Sequence, residues 1–386
     1  MGPKILISAG EASGDFYAAR LVEEIRRLWP EAEFMGCGGP QLRAAGVRTV
    51  VDSASLAVVG LLEVVSHLPR IYGEYRRLLT AAREWKPEIA ILTDSPDFHL
   101  RVARQLHKLG IPVIYLVAPQ VWAWRKGRLR GMRRSLKRLL CIFPFEEEFF
   151  RRAQVEATYI GHPLARCVRA SLTREEFFQK HDLLPERPLI SILPGSRRGE
   201  AARHLPILLD AVERLGGTTS GMSSMNFVLP ASSTTGVDFF QQRIGQAPVR
   251  VVEGESWDAM AHSDVALAAS GTVTIEAALL GTPMVTFYKV TRPSWFLGKL
   301  LVRVPFYSMV NLVAGRAVVP EFMQEQMTGE NLASAARRLL SDATARLEMR
   351  AGLAEVRRRL STQENPASRA ARIIQEILEG QVAHVS

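Results

Sequence analysis

The stretch DVALAASGTVTIEAALLGTPMVTFY, from Asp264 to Tyr288, constrains the fold more than any other part of the chain. An apolar run from Val265 to Ala269, a Ser-Gly-Thr turn, a helical pattern from Val273 to Leu280 and a second apolar run from Met284 predict strand, turn, helix and strand. Gly281 ends the helix and Pro283 blocks its continuation. That order requires parallel strands, and parallel sheets place their ligand crevice at the strand C-terminal ends. Three small residues let a ligand approach the backbone, and unpaired N–H groups at a helix start favour an anion. Glu276 stands one turn into the helix with Val273 three residues before it, so it is not half of a capping box. Its carboxylate suits either a ribose diol or the helix dipole on a solvated face.

The same grammar opens the chain. Lys4 to Ala9 reads as a buried strand, followed by Gly10-Glu11-Ala12-Ser13-Gly14-Asp15 and a helix from about Phe16 to Leu28. Only Gly10 and Gly14 are present, so neither the dinucleotide fingerprint nor a P-loop is matched, and the turn either meets a phosphate or has no ligand. Phe34 to Gly39 predicts a strand, and Glu88 to Thr93 another, which ends in Asp94-Ser95-Pro96-Asp97-Phe98. Ser95 suits an N-cap and Pro96 the first helical position, so Asp97 falls in a first turn at a strand's C-terminal end. A carboxylate there can take the proton from an attacking hydroxyl in an inverting group transfer, or simply complement the dipole.

Between these strands, LAVVGLLEVVSHLPRIYGEYRRLL (Leu56 to Leu79) is apolar on more than one helical face. Such a helix is either buried or meets something apolar. Arg70, Arg76 and Arg77 follow, an order that suits a lipid interface with cations at the headgroups. Ile111 to Val117 predicts a strand that leads to Trp122 and Trp124, and then RKGRLRGMRRSLKR (Arg125 to Arg138) gathers Lys126, Arg130, Arg133, Arg134 and Lys137 near one helical face. The tryptophans precede this run instead of interleaving with it, which argues against nucleic acid; a solvated face or an anionic bilayer fits as well. Leu140 to Phe145 predicts a strand, and Tyr159-Ile160-Gly161-His162-Pro163 a domain junction with His162 as a hinge residue.

The second half restarts with a strand at Leu189 to Leu193 and the loop Pro194-Gly195-Ser196-Arg197-Arg198-Gly199, where adjacent arginines on a glycine turn suit a phosphate. Gly216 to Ser224 reads as a low-complexity surface loop, Asn226 to Pro230 and Val249 to Val252 as strands, and Asn331 to Gln381 as helices with a fresh start at Asn365-Pro366. Two α/β halves, a short junction and a helical tail describe a twin-Rossmann layout. No D-x-D is present, which argues against a metal-dependent diphosphate site, so positive loops and helix N-termini would hold a leaving group.

Composition enters only for compartment and partner. Three widely spaced cysteines without C-x-x-C give no disulfide framework or zinc site. Ile5 to Ala9 is too short for a signal-peptide core and no apolar run reaches membrane-span length, so a cytosolic chain is expected. The formal net charge of +10 points to an anionic partner.

Ten segments in one order resemble the lipid-A-disaccharide synthases over about Ile5 to Gly380: SAGEASGD (from Ser8), GGPQLRAAG (Gly38), VVGLLEV (Val58), DSPDF (Asp94), PQVWAWR (Pro119), FPFE (Phe143), GHPL (Gly161), LPGSR (Leu193), ASGT…E (Ala269 to Glu276) and NLVAGR (Asn311). His99, where many relatives carry Asn, and the Gly/Ser-rich segment around Thr218 depart from the pattern without falling on an expected site residue. The resemblance implies a GT-B glycosyltransferase: an α/β chain of two Rossmann-like domains facing a central cleft, with C-terminal helices crossing back. Residues 1–163 would form the acceptor- and membrane-facing domain, 164–350 the UDP-sugar domain, and 351–386 helices that pack back on the first.

It further implies transfer of 2,3-diacylglucosamine from UDP to 2,3-diacylglucosamine 1-phosphate (lipid X), with inversion, to give a β-1,6-linked disaccharide. The expected setting is the cytoplasmic face of the inner membrane, peripherally bound to its anionic surface, with neither cofactor, metal nor nucleic acid; a homodimer is left open. Carried over by motif, Asp97 is the candidate base and Arg197 the leaving-group clamp. Ser270, Gly271 and Thr272 would hold the diphosphate, with Gly195 and Ser196 also on the nucleotide, and Glu276 the ribose. Asn311 and Arg316 would line the cleft, and Glu11 would orient a sugar. Val58, Val59, Leu61, Leu62, Val65, Leu68 and Ile71 would meet acyl chains. Two rivals stay open: a UDP-sugar 2-epimerase on the same scaffold, and an RNA-binding protein using Arg125 to Arg138.

Overall fold

The computed structural model describes residues 2–56, 61–216, 224–232, 234–302 and 304–382. They form two compact units, Met1–Pro163 with Leu360–Ser386, and Leu164–Arg359.

The first unit is built on a seven-stranded sheet: β1 (Lys4–Ala9), β2 (Glu33–Gly38), β3 (Arg48–Asp52), β4 (Ile89–Thr93), β5 (Val113–Leu116), β6 (Arg138–Cys141) and β7 (Ala157–Tyr159). The strands are all parallel, in the order β3-β2-β1-β4-β5-β6-β7. Parallel strands are covered on both faces, so they read as continuous apolar runs, and every residue of β4 is buried. Chain order reverses between β1 and β4, where a crevice opens at the strand C-termini. Ala9 pairs with Thr93, so the loops that begin at Gly10 and Asp94 leave the sheet side by side.

The second unit repeats the plan with six parallel strands: β8 (Leu189–Leu193), β9 (Asn226–Ala231), β10 (Val249–Glu253), β11 (Val265–Ala269), β12 (Met284–Tyr288) and β13 (Glu321–Met323). The order is β10-β9-β8-β11-β12-β13, so its reversal lies between β8 and β11. Leu193 pairs with Ala268, which again brings two loops together, the one after Leu193 and the one after Ala269. The helix Ala343–Leu360 belongs to this unit up to Arg359. The chain then returns: the helix Pro366–Val382 packs on Ala12–Leu28 in the first unit, with Ala370, Ala371 and Ile374 buried and Ser368 Oγ 2.7 Å from Glu24 Oε2. His162 sits under this return with its backbone N–H on Leu360 O at 2.9 Å, its ring against Phe143 and its pKa pushed down to about 3 by burial.

Local structure differs from the sequence expectation at three places. The first helix starts at Ala12, inside the glycine loop, because an anion from elsewhere in the unit occupies its start. The basic run is not one helical face; it divides into a 3-10 turn (Lys126–Arg128), a short helix (Leu129–Ser135) and the start of β6, which takes Arg138 into the sheet. The apolar helix spans Leu61–Trp85, and Val58 and Val59 lie outside the described residues, as do the side chains of Leu61, Leu62 and Val65. Farther along, Ile71 packs on the core, while Leu68 and Tyr72 are 49% and 61% exposed beside Arg70, Arg76 and Arg77. Residues 217–223 of the Gly/Ser-rich loop also lie outside the described residues. No helix among the described residues is long and apolar enough to cross a membrane.

Candidate active site

In the first unit the crevice is organised by Asp94. Its carboxylate accepts the Gly10 N–H at 2.8 Å and the Glu11 N–H at 3.1 Å, so the loop-to-helix start that resembles a phosphate cradle is filled by the protein's own anion. The glycines serve this approach. A Cβ on Gly14 would lie 1.6 Å from Asp94 Oδ2, and one on Gly10 2.4 Å from Ser95 Oγ. Burial lifts the Asp94 pKa to about 7 against the pull of those two N–H donors.

The backbone here is strained: Asp94 and Ser95 both occupy the left-handed region, at φ 51° and 36°. Two buried side chains hold it. The Tyr115 hydroxyl and His99 Nδ1 (3.1 Å) both donate to Asp94 O. Because a carbonyl only accepts, His99 carries its proton on Nδ1, and Nε2 accepts from Ser8 Oγ at 2.7 Å. Burial pushes His99 down to about 4, so the ring is neutral. The one residue at which this chain departs from the DSPDF-N pattern therefore does touch the site. Ser95 is the residue before Pro96 as expected, but its side chain makes no capping bond.

Asp97, the expected base, is 70% exposed and already paired. Arg125 Nη1 reaches both its oxygens, at 2.9 and 3.0 Å, and Arg128 Nη2 also contacts Oδ1. Glu11 presents an exposed side chain at the start of the first helix. Asp15, at the end of SAGEASGD, is buried and accepts the N–H groups of Gly39 (2.7 Å) and Gln41 (2.8 Å), which ties that motif to GGPQLRAAG. Glu146 of FPFE is likewise buried; it holds Trp122 Nε1 at 3.0 Å, and burial pushes its pKa up to about 8.

The second unit's loops are arranged differently. Gly195 sits at φ 114°, and a Cβ there would meet the Glu200 carboxyl at 2.5 Å. Ser196 and Arg197 are exposed. His204, neutral by burial, pins this loop by Nδ1 to Pro194 O (2.8 Å), while its Nε2 accepts the Lys289 N–H at 3.0 Å. Tyr288, at the end of β12, is pushed up to about 12 by burial and Glu200, with Arg197 and Arg203 pulling the other way. Ser270 is fixed by Oγ to Tyr307 O at 2.9 Å and by its N–H to Phe287 O at 2.8 Å. The helix Thr272–Leu280 then begins at Gly271 with no side-chain cap, so its first N–H groups face outward. Glu276 is half-buried, accepts Trp257 Nε1 at 3.0 Å, and has its pKa raised by burial.

Two expected contacts have other partners. Asn311 is buried, and its amide is saturated: Nδ2 donates to Val319 O and Glu321 Oε1, and Oδ1 accepts from Val318 and Val319 N–H, all within 3.0 Å. No valence remains for a ligand, so Asn311 shapes its loop instead of lining a site. Arg316 is exposed and pairs with Glu355 at 2.9 Å.

Comparison with known proteins agrees with this layout. A family model described as lipid-A-disaccharide synthetase matches residues 5–377. The lipid-A-disaccharide synthase of Solibacter usitatus is 71% identical over the full length of both chains, and that of Koribacter versatilis 44% identical over 97% of this chain and 99% of the other. Among solved structures, the calicheamicin glycosyltransferase CalG4 aligns with TM-score 0.62 at 15% identity, covering 99% of each chain. A UDP-GlcNAc 2-epimerase from Neisseria meningitidis, bound to UDP-GlcNAc, aligns with TM-score 0.63 at 14% identity over 98% of this chain and 100% of the other. At such identities the structural likeness establishes the two-domain α/β fold of GT-B enzymes; full-length sequence identity decides between transferase and epimerase. This chain belongs to the lipid-A-disaccharide synthase family and is a glycosyltransferase of lipid A biosynthesis.

Proposed function

We propose that the chain condenses UDP-2,3-diacylglucosamine with 2,3-diacylglucosamine 1-phosphate, inverting the anomeric carbon and releasing UDP. The observation that carries this reading is a division of charge. A largely enclosed carboxylate with its pKa lifted to about 7 stands at the first unit's switch point, and at the second's an exposed arginine stands on the loop that leaves the sheet next to an uncapped helix start.

Asp94 is the stronger candidate for the base, because a base works best with a pKa near the working pH and Asp97 is engaged by two guanidiniums. The acceptor hydroxyl gives its proton to Asp94 as its oxygen bonds to the anomeric carbon, and the bond to the UDP oxygen breaks. Arg197 and the N–H groups of Gly271 and Thr272 meet the charge that develops on the diphosphate, without a divalent ion. Glu276 takes the ribose diol. Peripheral membrane attachment by the first unit is supported by exposed Leu68 and Tyr72 among arginines.

The test is direct. Purified protein, with and without chelator, is given both substrates in detergent, and UDP and disaccharide are measured. Absence of both products overturns the reaction, and activity that requires added magnesium overturns the assignment of the diphosphate to Arg197 and the backbone.

A further inference from the structure

We infer that Arg125 and Arg128 form the seat for the acceptor's phosphomonoester, and that Asp97 is an internal carboxylate which that phosphate displaces; this rests on the reaction proposed above. Two guanidiniums converge on one carboxylate that is itself 70% exposed. Exposed ion pairs contribute little to stability, so folding alone is a weak reason for the arrangement. Yet it is built with care. Arg125 is held at φ 59°, a left-handed conformation unfavourable for any residue but glycine, and its guanidinium stacks 4.2 Å from the centre of the Trp124 ring. The Arg128 N–H closes the turn on Arg125 O at 3.0 Å, and its side chain is mostly buried.

Both cations face Asp97 at the start of the helix Pro96–Lys108, whose N-cap Ser95 supplies no side-chain bond, and the Asp94 and Glu11 carboxylates act on the same Tyr115 hydroxyl as Arg128 and Asp97 do. A phosphomonoester, with close to two negative charges and three acceptor oxygens, matches two guanidiniums and a helix N-terminus better than a carboxylate does. Arg125 uses only Nη1 on Asp97 and Arg128 only Nη2, so donors on both remain to receive further oxygens. The location suits an acceptor group, since Asp97, on which the two arginines converge, stands in the first turn of the helix that directly follows Asp94 and Ser95.

The experiment compares acceptors that carry or lack the 1-phosphate, in phospholipid-free micelles, by the ratio of their kcat/KM values. Arg125→Ala/Arg128→Ala should lower this ratio on the order of a hundredfold, as two charge-assisted hydrogen-bonding groups are lost, with the donor KM unmoved. Arg125→Lys/Arg128→Lys should recover part of it, and matching melting curves show that each variant is folded. Asp97→Asn should raise the ratio several-fold through a lower KM for the phosphorylated acceptor. An unchanged ratio in the double alanine variant overturns the inference. So does a collapse of kcat on both acceptors in Asp97→Asn, which would make Asp97 the base. If the alanine variant keeps the ratio but loses binding to phosphatidylglycerol vesicles, the arginines serve lipid headgroups and the inference is again overturned. Wild-type protein that transfers to neither acceptor rejects the parent reaction instead.

Discussion

The two switch-point loops share one grammar and put it to opposite use. After β1, Gly10 and Gly14 make room for a carboxylate of the same unit, and the N–H groups of Gly10 and Glu11, just before the helix, are taken by Asp94. After β11, no other part of the described residues lies within 4 Å of where a Cβ on Gly271 would stand, and the helix start has no side-chain cap. A glycine loop before a helix is therefore not in itself a phosphate site: what matters is whether the fold has already supplied the anion. In the first unit it has, and enclosure lifts the pKa of that carboxylate to about 7. In the second, the loop after β11 holds none among the described residues, and Arg197 stands on the adjoining loop after β8.

The largest expected effect tests the first half of that contrast. Asp94→Asn removes the proposed base and should lower kcat on the order of a thousandfold. Wild-type activity should rise with pH through about 7, the Asp94 value, and the variant should lose that limb. Stability moves the other way. A carboxyl whose folded pKa lies above its ordinary 3.8 binds its proton more tightly in the folded state, so wild-type stability falls as pH rises from about 4 to about 7. Asp94→Asn should remove that pH-dependent decline while costing one of the two backbone N–H bonds, so its melting temperature should stay level from about pH 4 to pH 8; a melting temperature that still falls over that range would place the titrating group elsewhere. Next in size, Arg197→Ala should lower kcat/KM about a hundredfold or more, with UDP affinity reduced and the fold intact. A rate near wild type would move the leaving-group clamp elsewhere.

The glycines sharpen the contrast further. Gly14→Ala must push the Asp94 carboxylate aside, so it should lower the melting temperature even without donor present, and the rate at saturating donor. Gly271→Ala adds a methyl to open space on extended backbone, so its melting temperature should hold, and only UDP binding should weaken, by about tenfold if the diphosphate packs on that backbone. Equal melting losses in the two variants would erase the distinction between a filled loop and an open one.

Most strands and their parallel direction were legible because burial on both faces of a parallel sheet forces long apolar runs, as at β8 and β11, whose observed bounds match the runs read from sequence, whereas the short or less buried β3, β7 and β13 carry no such run. The stop at Gly281 was legible for the same local reason, and it adopts φ 76°. Asp94 was not. Its burial depends on Gly10 and Gly14, some eighty positions away, and on His99 and Tyr115 gripping its carbonyl, while a reading of nearest neighbours favours Asp97 for its place at a helix start. A signal was present in DSPDF, which carries two carboxylates, but nothing local says which one the fold encloses. Asn311 was misread for a related reason: a polar residue in a loop looks available until the backbone that turns around it is known. Asn311→Ala takes the partner from the N–H groups of Val318 and Val319 and from the Val319 carbonyl, while Glu321 keeps the Tyr307 and Ser308 N–H groups, and should cost about 2–4 kcal/mol of stability, with donor KM changed little in protein that remains folded.

The smallest expected effect bears on how the open loop recognises its ligand. Glu276 accepts Trp257 Nε1 through Oε2, and burial already disfavours its charge. Glu276→Gln preserves an oxygen for the indole and removes a costly buried charge, so the melting temperature should stay level or rise slightly. A ribose diol, however, needs acceptors, and the amide replaces one of them with a donor. The donor-substrate KM should therefore rise roughly fivefold, in keeping with one weakened hydrogen bond, while kcat changes little. A KM that does not move would leave Glu276 as a partner of Trp257 alone. The second unit would then recognise its nucleotide through backbone and arginine, and the contrast between the two loops would rest on the diphosphate only.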